Sequence, residues 1–149
     1  MLSGLRRGMV SLLLWAAAAT GCTSASDGEL CIMRDTDPFG WHQPVSIDFE
    51  CTDSLSQYTL SLAFRFGSGV SLRNLPLTIT TAAPDSVYCV ESFDFPLRSG
   101  AVPASTAAVG SVPYRDRVHL SEGRYTLTIE PAVTLRGVEA AGIILKKRD

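Results

Sequence analysis

The chain has 149 residues, of which 46% are hydrophobic and 19% are charged, and its formal net charge is −2 at pH 7. This composition is typical of a globular domain and excludes an intrinsically disordered chain. The acidic balance argues against nucleic acid as a partner, because binding to nucleic acid depends on clustered Lys and Arg. The one basic cluster comprises three residues, 146–148, and is interpreted as a solvated tail.

The first 21 residues have the organisation of an export signal. Arg6 and Arg7 precede a short apolar run, residues 9–19, which ends in small residues. A positive start, a short apolar middle and small residues at the cleavage site are typical of a secretory leader. The run is too short to cross a bilayer, because a spanning helix needs about 20 apolar residues.

Residues 19–22, Ala-Thr-Gly-Cys, resemble the lipobox of bacterial lipoproteins, with Ala19 where Leu is usual. The resemblance implies cleavage between Gly21 and Cys22 and attachment of lipid to the Cys22 thiol, a good nucleophile. The alternative is an ordinary secretory signal followed by a coincidental cysteine. We therefore expect a leader at 1–21, a flexible tether at 22–29 and a single domain at 30–149.

Alternation of apolar and polar residues predicts an all-β domain. Period two places the apolar residues of each segment on one face, whereas helical spacing would scatter them around the circumference. The predicted strands are 30–33, 45–51, 58–66, 75–80, 87–95, 118–120, 125–130 and 143–145. About eight short strands without a helix favour an antiparallel β-sandwich, which we expect to be immunoglobulin-like.

Local sequence features add predictions about individual strands and one loop. Tyr125 follows a glycine turn and resembles a tyrosine corner, in which the hydroxyl bonds back to the chain; a plain hairpin is the alternative. Pro76 predicts that its strand starts at an edge or a bulge. Glu91 shares the parity of Cys89 and Phe93, which predicts a bulge or an exposed end there. Residues 98–110 are predicted to form a long loop.

Three cysteines remain if Cys22 carries lipid. Cys31, Cys51 and Cys89 could supply one disulfide in an oxidising compartment, or all three could be small buried apolar residues. The sequence does not choose between these alternatives.

The sequence contains no recognisable catalytic or metal-binding motif. His42 and His119 are far apart, and neither a Cys-x-x-Cys nor a His-x-x-x-His spacing occurs, so no metal is predicted. A Gly-x-Ser-x-Gly elbow is also missing. Asp35 and Asp37 lie on a predicted turn, where solvation is favoured over calcium binding. We therefore expect no enzymatic activity and no cofactor beyond the covalent lipid.

Trp41 and His42, an aromatic residue next to a polar one, are the strongest candidates for a binding site. Trp41 follows Gly40 and precedes a strand, a position from which a large ring can cap the end of the core. The alternative is a contact with a partner, or a platform on which a sugar stacks.

Several short segments in order resemble one family. They are 39–42, 74–75, 80–81, 84–85, 94–97, 123–130 and 137–147. Together with the lipobox, they are similar to the gliding motility lipoprotein GldH family of Bacteroidetes. The family's loop after the position of Leu97 tends to hold Asp, Gly, Lys and Trp, whereas here it is rich in Ala, Ser and Thr. The resemblance implies an envelope lipoprotein needed for gliding and tied to secretion, without known catalysis.

The sequence therefore predicts a lipid-anchored, non-catalytic interaction module of the cell envelope, facing the periplasm or the cell surface. Its expected partners are other envelope, motility or secretion proteins, and the membrane through the lipid on Cys22. The alternative is a surface or periplasmic lipoprotein that binds a ligand such as a glycan.

Overall fold

The computed structural model describes residues 21–26, 28–67, 74–96 and 108–148. The predicted leader up to residue 20 and most of the predicted loop 98–110 lie outside these ranges. The described residues form nine strands: β1 (Gly21–Ser26), β2 (Glu29–Asp35), β3 (Val45–Cys51), β4 (Gln57–Phe66), β5 (Asn74–Ala82), β6 (Tyr88–Pro96), β7 (Ala108–His119), β8 (Gly123–Pro131) and β9 (Val138–Arg148).

The strands form two antiparallel sheets. The first sheet has the order β1-β2-β9-β4-β7, and the second has the order β3-β8-β5-β6. Their apolar faces enclose the core between them. This confirms the predicted all-β antiparallel sandwich, with one strand more than the predicted eight.

The order of the strands is not immunoglobulin-like, so that part of the prediction is wrong. An immunoglobulin sandwich places its first two strands in one sheet and its last strand in the other. Here β2 pairs with the last strand, β9, and β3 pairs with β8. Apart from β1, this is the order of an eight-stranded jelly roll. Alternation identifies strands but does not encode which distant strands pair, so the sequence could not separate these two sandwiches.

The core follows the alternation closely. In β3, buried and exposed side chains alternate without a break. Leu62, Ile79 and Ile143 are completely buried between the sheets. Burial of each such side chain stabilises the fold by about 1.5–3 kcal/mol.

The predicted tyrosine corner is confirmed. The backbone N–H of Ser121 donates a hydrogen bond of 2.9 Å to the hydroxyl oxygen of Tyr125. The ring of Tyr125 is buried and stacks on Phe49, with 5.2 Å between the ring centroids and 6° between the planes. The corner therefore joins the turn before β8 to the core.

Pro76 lies where β5 extends beyond β8. The ladder between these strands begins at the next residue, Leu77, and the Pro76 carbonyl accepts a bond of 2.9 Å from the Ala132 N–H. The missing N–H of proline therefore interrupts no ladder bond, as the predicted edge position requires.

Of the two alternatives predicted at Glu91, a bulge or an exposed end, the bulge is wrong, because β6 pairs with β5 without a register shift. The irregularity lies in β7 instead. Ser61 pairs with Pro113 and Leu60 with Arg115, which leaves Tyr114 as an extra residue. This bulge allows Tyr114 and Arg115, although consecutive, both to bond the carboxylate of Glu91.

Strand β1 occupies most of the stretch predicted as a flexible tether, 22–29. Gly21 to Ser26 pair in register with Arg34 to Glu29, and Cys22 lies opposite Met33. A segment without apolar alternation can still pair, because the outer edge of β2 offers backbone donors and acceptors to any sequence.

No disulfide joins Cys31, Cys51 and Cys89 within the described residues. Cys51 is buried, and its sulfur lies 3.5 Å from the Asp53 carbonyl and 3.6 Å from that of Leu120. The residues that the structure describes contain no helix that is long and apolar enough to span a membrane.

Candidate functional site

A cleft of about 360 Å³ lies at the end of the sandwich where β2 passes to β3. Its walls are residues 35–37 and 40–45, which include both residues singled out in the sequence, Trp41 and His42. We call it the loop cleft.

The backbone around the loop cleft is fixed by the segment that leads into β9. The Thr36 N–H donates to the Glu139 carbonyl at 2.9 Å. Trp41 and Leu135 exchange two backbone hydrogen bonds of 2.7 and 2.9 Å. The Gly137 N–H donates to the Pro38 carbonyl at 2.8 Å. Long-range bonds therefore hold the loop in place at three points.

Trp41 belongs to the core. Its side chain is 2% exposed, and its ring lies 6.0 Å from that of Phe64 between centroids. The indole N–H donates to the Gln43 carbonyl at 2.7 Å, which satisfies the polar end of the ring. The ring has no free face on which a sugar could stack, so any contact with a partner at this spot falls to His42 and its exposed neighbours.

His42 is exposed at the rim of the loop cleft. Its Nδ1 lies 3.0 Å from the Gly40 carbonyl oxygen. A carbonyl only accepts, so Nδ1 carries the proton, and Nε2 of the neutral ring is an acceptor that faces away from this bond.

Two exposed carboxylates complete the polar wall. Asp35 pairs with Arg65 at 3.0 Å, and Arg65 also contacts Glu139 at 3.4 Å. Asp37 accepts a hydrogen bond of 2.9 Å from the Phe39 N–H, which closes the turn. Nowhere in the described ranges do three or more His, Cys, Asp or Glu side chains group as a metal would require.

Phe39 is the functional candidate that sequence reasoning missed. Its side chain is 85% exposed, although it stands two residues from the buried Trp41. The Gly40 N–H bonds back to the Asp37 carbonyl at 3.2 Å, so Phe39 occupies the outer corner of a tight turn. The sequence Asp-Pro-Phe-Gly at 37–40 could have predicted the exposure of Phe39, because a turn of this kind directs its third residue to solvent.

The loop cleft is equipped for binding. Thr36 supplies the one hydroxyl among its wall residues, and that hydroxyl donates to the Val138 carbonyl at 2.6 Å. Asp35, Asp37, His42 and Gln43 are exposed and present acceptors and donors to solvent, and the exposed Phe39 lies in the same loop. A few polar groups beside an apolar surface are the usual equipment of a binding cleft.

Comparison with known proteins gives distant structural matches. No protein family and no curated protein matches the chain. TmCBM61 in complex with beta-1,4-galactotriose matches with a TM-score of 0.39 at 10% identity, over 83% of this chain and 74% of that one. A family 35 carbohydrate binding module from Clostridium thermocellum matches with a TM-score of 0.41 at 15% identity, over 85% and 87%.

A third match is a tryptic core variant of Cry1Da from Bacillus thuringiensis. Its TM-score is 0.37 at 15% identity, and the match covers 85% of this chain but only 23% of that one. Likeness of this degree does not establish the function of the chain.

Proposed function

We propose that the protein is a non-catalytic module of the cell envelope that binds a glycan through the loop cleft. The observation that carries the proposal is the 85% exposed side chain of Phe39, which directly precedes the wall residue Gly40 of a polar cleft whose backbone is fixed by long-range hydrogen bonds. This favours the glycan-binding alternative over the protein-interaction module predicted first.

The chemistry of the cleft suits a sugar. A sugar ring presents hydroxyl groups around its edge and C–H groups on its faces, so it needs acceptors, donors and an apolar surface together. The carboxylates of Asp35 and Asp37 can accept hydrogen bonds from sugar hydroxyl groups, and the amide of Gln43 can both donate and accept them. Phe39 supplies the apolar surface at 85% exposure.

The lipid anchor, if attached as predicted, restricts which glycans the cleft can reach. Cys22 lies opposite Met33, two residues before Asp35, so β1 starts at the same end of the sandwich as the loop cleft. With lipid on Cys22, this end faces the membrane. The proposal therefore specifies a glycan displayed close to the membrane surface.

Binding of the full chain to a panel of insoluble polysaccharides, soluble oligosaccharides and vesicles that carry lipid-linked glycans tests the proposal. Phe39→Ala should weaken binding at least about tenfold, since contacts of an aromatic ring contribute more than 1 kcal/mol. Leu55→Ala is the matched control, because Leu55 is a loop residue 89% exposed at the opposite end of β3.

His42→Ala and Gln43→Ala should weaken binding by smaller factors without a change in thermal stability, because both side chains are exposed. Failure of the full chain to bind any member of the panel would contradict the proposal. Equal losses in Phe39→Ala and Leu55→Ala would show that exposed apolar surface, and not the cleft, is responsible.

A second candidate function is supported by β6. This strand pairs only with β5 among the described strands. Tyr88 and Val90 are exposed along it, at 69% and 56%, and so is Val87 just before it, at 57%. An open edge with apolar side chains suits a partner that adds a strand. Through strand addition at β6, the protein would act as the interaction module that the resemblance to the GldH family predicts. Its partner would be an envelope, motility or secretion protein.

Complementation in a gliding host separates the two candidates. Deletion of the gene should stop colony spreading, and a Val90→Lys chain should fail to restore it, because Lys on an edge strand blocks pairing. A Phe39→Ala chain should restore spreading if strand addition is the function. Normal spreading after deletion counts against the interaction module.

A further inference from the structure

A second cleft, of about 190 Å³, opens between the two sheets beside β6 and β7. Its walls come from both sheets and are mostly apolar, with Phe49, Leu60, Tyr114, Val118 and Tyr125 among them. We call it the inter-sheet cleft. It shares no residue with the loop cleft, and the proposed glycan binding makes no use of it.

Bulges in β7 shape this cleft. Tyr114 is the extra residue of the first bulge. In the second, the three-residue step from Arg115 to Val118 faces a two-residue step in β4, and Arg117 has a φ of 51°. Bulges redirect side chains and are frequent beside functional sites. Here Tyr114 and Arg115 at the first bulge and Val118 at the second all line the cleft.

The inner wall is aromatic. Phe49 and Tyr125 stack almost parallel, at 5.2 Å and 6°, and both line the cleft. Tyr114 forms the side towards β6, where it meets the ring of Phe93 edge-on at 5.4 Å. The ring of an aromatic ligand could pack against these side chains, because aromatic pairs stack or meet edge-to-face at such separations.

The charges at the rim neutralise each other. Glu91 accepts hydrogen bonds from the Tyr114 hydroxyl and from the Arg115 guanidinium. The Arg115 guanidinium also lies over the Tyr114 ring, with 4.5 Å between its central carbon and the centroid. A charged ligand would have to break this pair, whereas an uncharged ligand leaves it intact.

Thr81 and Cys89 give the cleft one polar side. They are directly paired across β5 and β6, and both side chains line the cleft. The threonine hydroxyl can donate and accept, while the thiol is a weak donor. A ligand with one hydroxyl group therefore finds a partner here.

We propose that the inter-sheet cleft binds an uncharged molecule with a single aromatic ring and a hydroxyl group, a compound of the phenol class. The volume fits one ring, since an engineered apolar cavity of about 150 Å³ in another protein is large enough to bind benzene. The ring packs between Tyr125, Leu60 and Val118, and the hydroxyl group faces Thr81.

Fluorine NMR of the full chain with 4-fluorophenol as the probe tests the proposal. We expect saturable binding that Cys89→Phe weakens at least about tenfold, because the new ring fills the cleft. Val90→Phe is the control, since the neighbouring residue on the same strand points to solvent and is 56% exposed. Fluorobenzene, which lacks the hydroxyl, should bind several-fold more weakly, and 4-fluorobenzoate should not bind.

Three results would overturn the proposal: no saturable binding of 4-fluorophenol, equal binding to Cys89→Phe and Val90→Phe, or binding of 4-fluorobenzoate as tight as that of the phenol. If Cys89→Phe does not melt cooperatively, Thr81→Leu replaces it, with the same loss expected. Phe39→Ala should leave phenol binding unchanged, so failure of this proposal is distinguishable from failure of glycan binding.

Discussion

The hydroxyl of Tyr114 donates a hydrogen bond to the carboxylate of Glu91 across the gap between the two sheets. Arg115 bonds the same carboxylate, and this bond, followed by that of Tyr114, holds the pKa of Glu91 below its ordinary value of 4.5. Burial, followed by the Glu91 bond, raises the pKa of Tyr114. A carboxylate on the inward face of β6 is therefore tolerated because β7 supplies two partners for it.

Glu91→Gln should lower the free energy of unfolding at pH 7 by about 0.5–1.5 kcal/mol, because hydrogen bonds to a charged acceptor are lost from a carboxylate that solvent partly screens. The pKa of Glu91 is lower in the folded chain than in the unfolded one, so the stabilisation is present above pH 4.5 and is lost as the pH falls below it. Urea unfolding between pH 3 and 7 measures this.

The control for Glu91 is Glu130→Gln, which changes an exposed residue at the end of β8. Its unfolding curve should keep the pH dependence of the unchanged chain. Equal pH dependence in Glu91→Gln and the unchanged chain would show that Glu91 does not stabilise the fold through its charge.

Tyr125→Phe should destabilise the fold by about 1 kcal/mol, because the Ser121 N–H loses its acceptor. Thermal unfolding measures the effect. Tyr88→Phe removes a hydroxyl from a side chain that is 69% exposed and should leave the melting temperature unchanged. The role of the corner is refuted if both variants melt alike.

Leu62→Asp should abolish cooperative unfolding. Leu62 is completely buried, and an unpaired charge in the core costs several kcal/mol, a large part of the stability of a small domain. Ser61→Asp, on the opposite face of the same strand and half-buried, should shift the free energy of unfolding by less than about 1 kcal/mol. Comparable circular dichroism melts for the two variants would refute the assignment of these faces.

Cys22→Ala should leave the sandwich folded and release the protein from the membrane fraction. A single acyl chain binds marginally, whereas two or more, at about 0.8 kcal/mol for each buried methylene, anchor a protein stably. Cell fractionation and incorporation of labelled palmitate measure the two consequences. A Cys22→Ala chain that stayed in the membranes and still took up palmitate would refute lipidation at this residue.

Period-two alternation was sufficient to predict β3, which the core covers on one face, and it also located β4, which is at least partly buried on both faces. It failed for β7, because the predicted strand 118–120 covers only the last two residues of a strand that runs from Ala108 to His119. Gly110, Pro113 and the bulged Tyr114 break the pattern. The bulge brings Tyr114 and Arg115 to Glu91 on another strand, a partner that no local window of sequence could reveal.

The sequence pointed to the segment that forms the loop cleft, but not to the aromatic residue that this segment exposes. The sequence directed attention to Trp41 and His42, and both line the loop cleft. The exposed aromatic ring is Phe39, because Trp41 is held inward by its pairing with Leu135, about 95 residues away in the chain. Which of two nearby aromatic residues faces outward depended on that distant partner.

The position of β9 has a consequence for biogenesis. Residues 138–148 form the strand between β2 and β4, so the first sheet is divided into separate pieces until they join it. A chain shortened before residue 138 would leave both flanking strands without a central partner and expose their apolar faces. Since the key pairings join residues far apart in the chain, we expect folding to be slow and to be completed only once the whole domain is available.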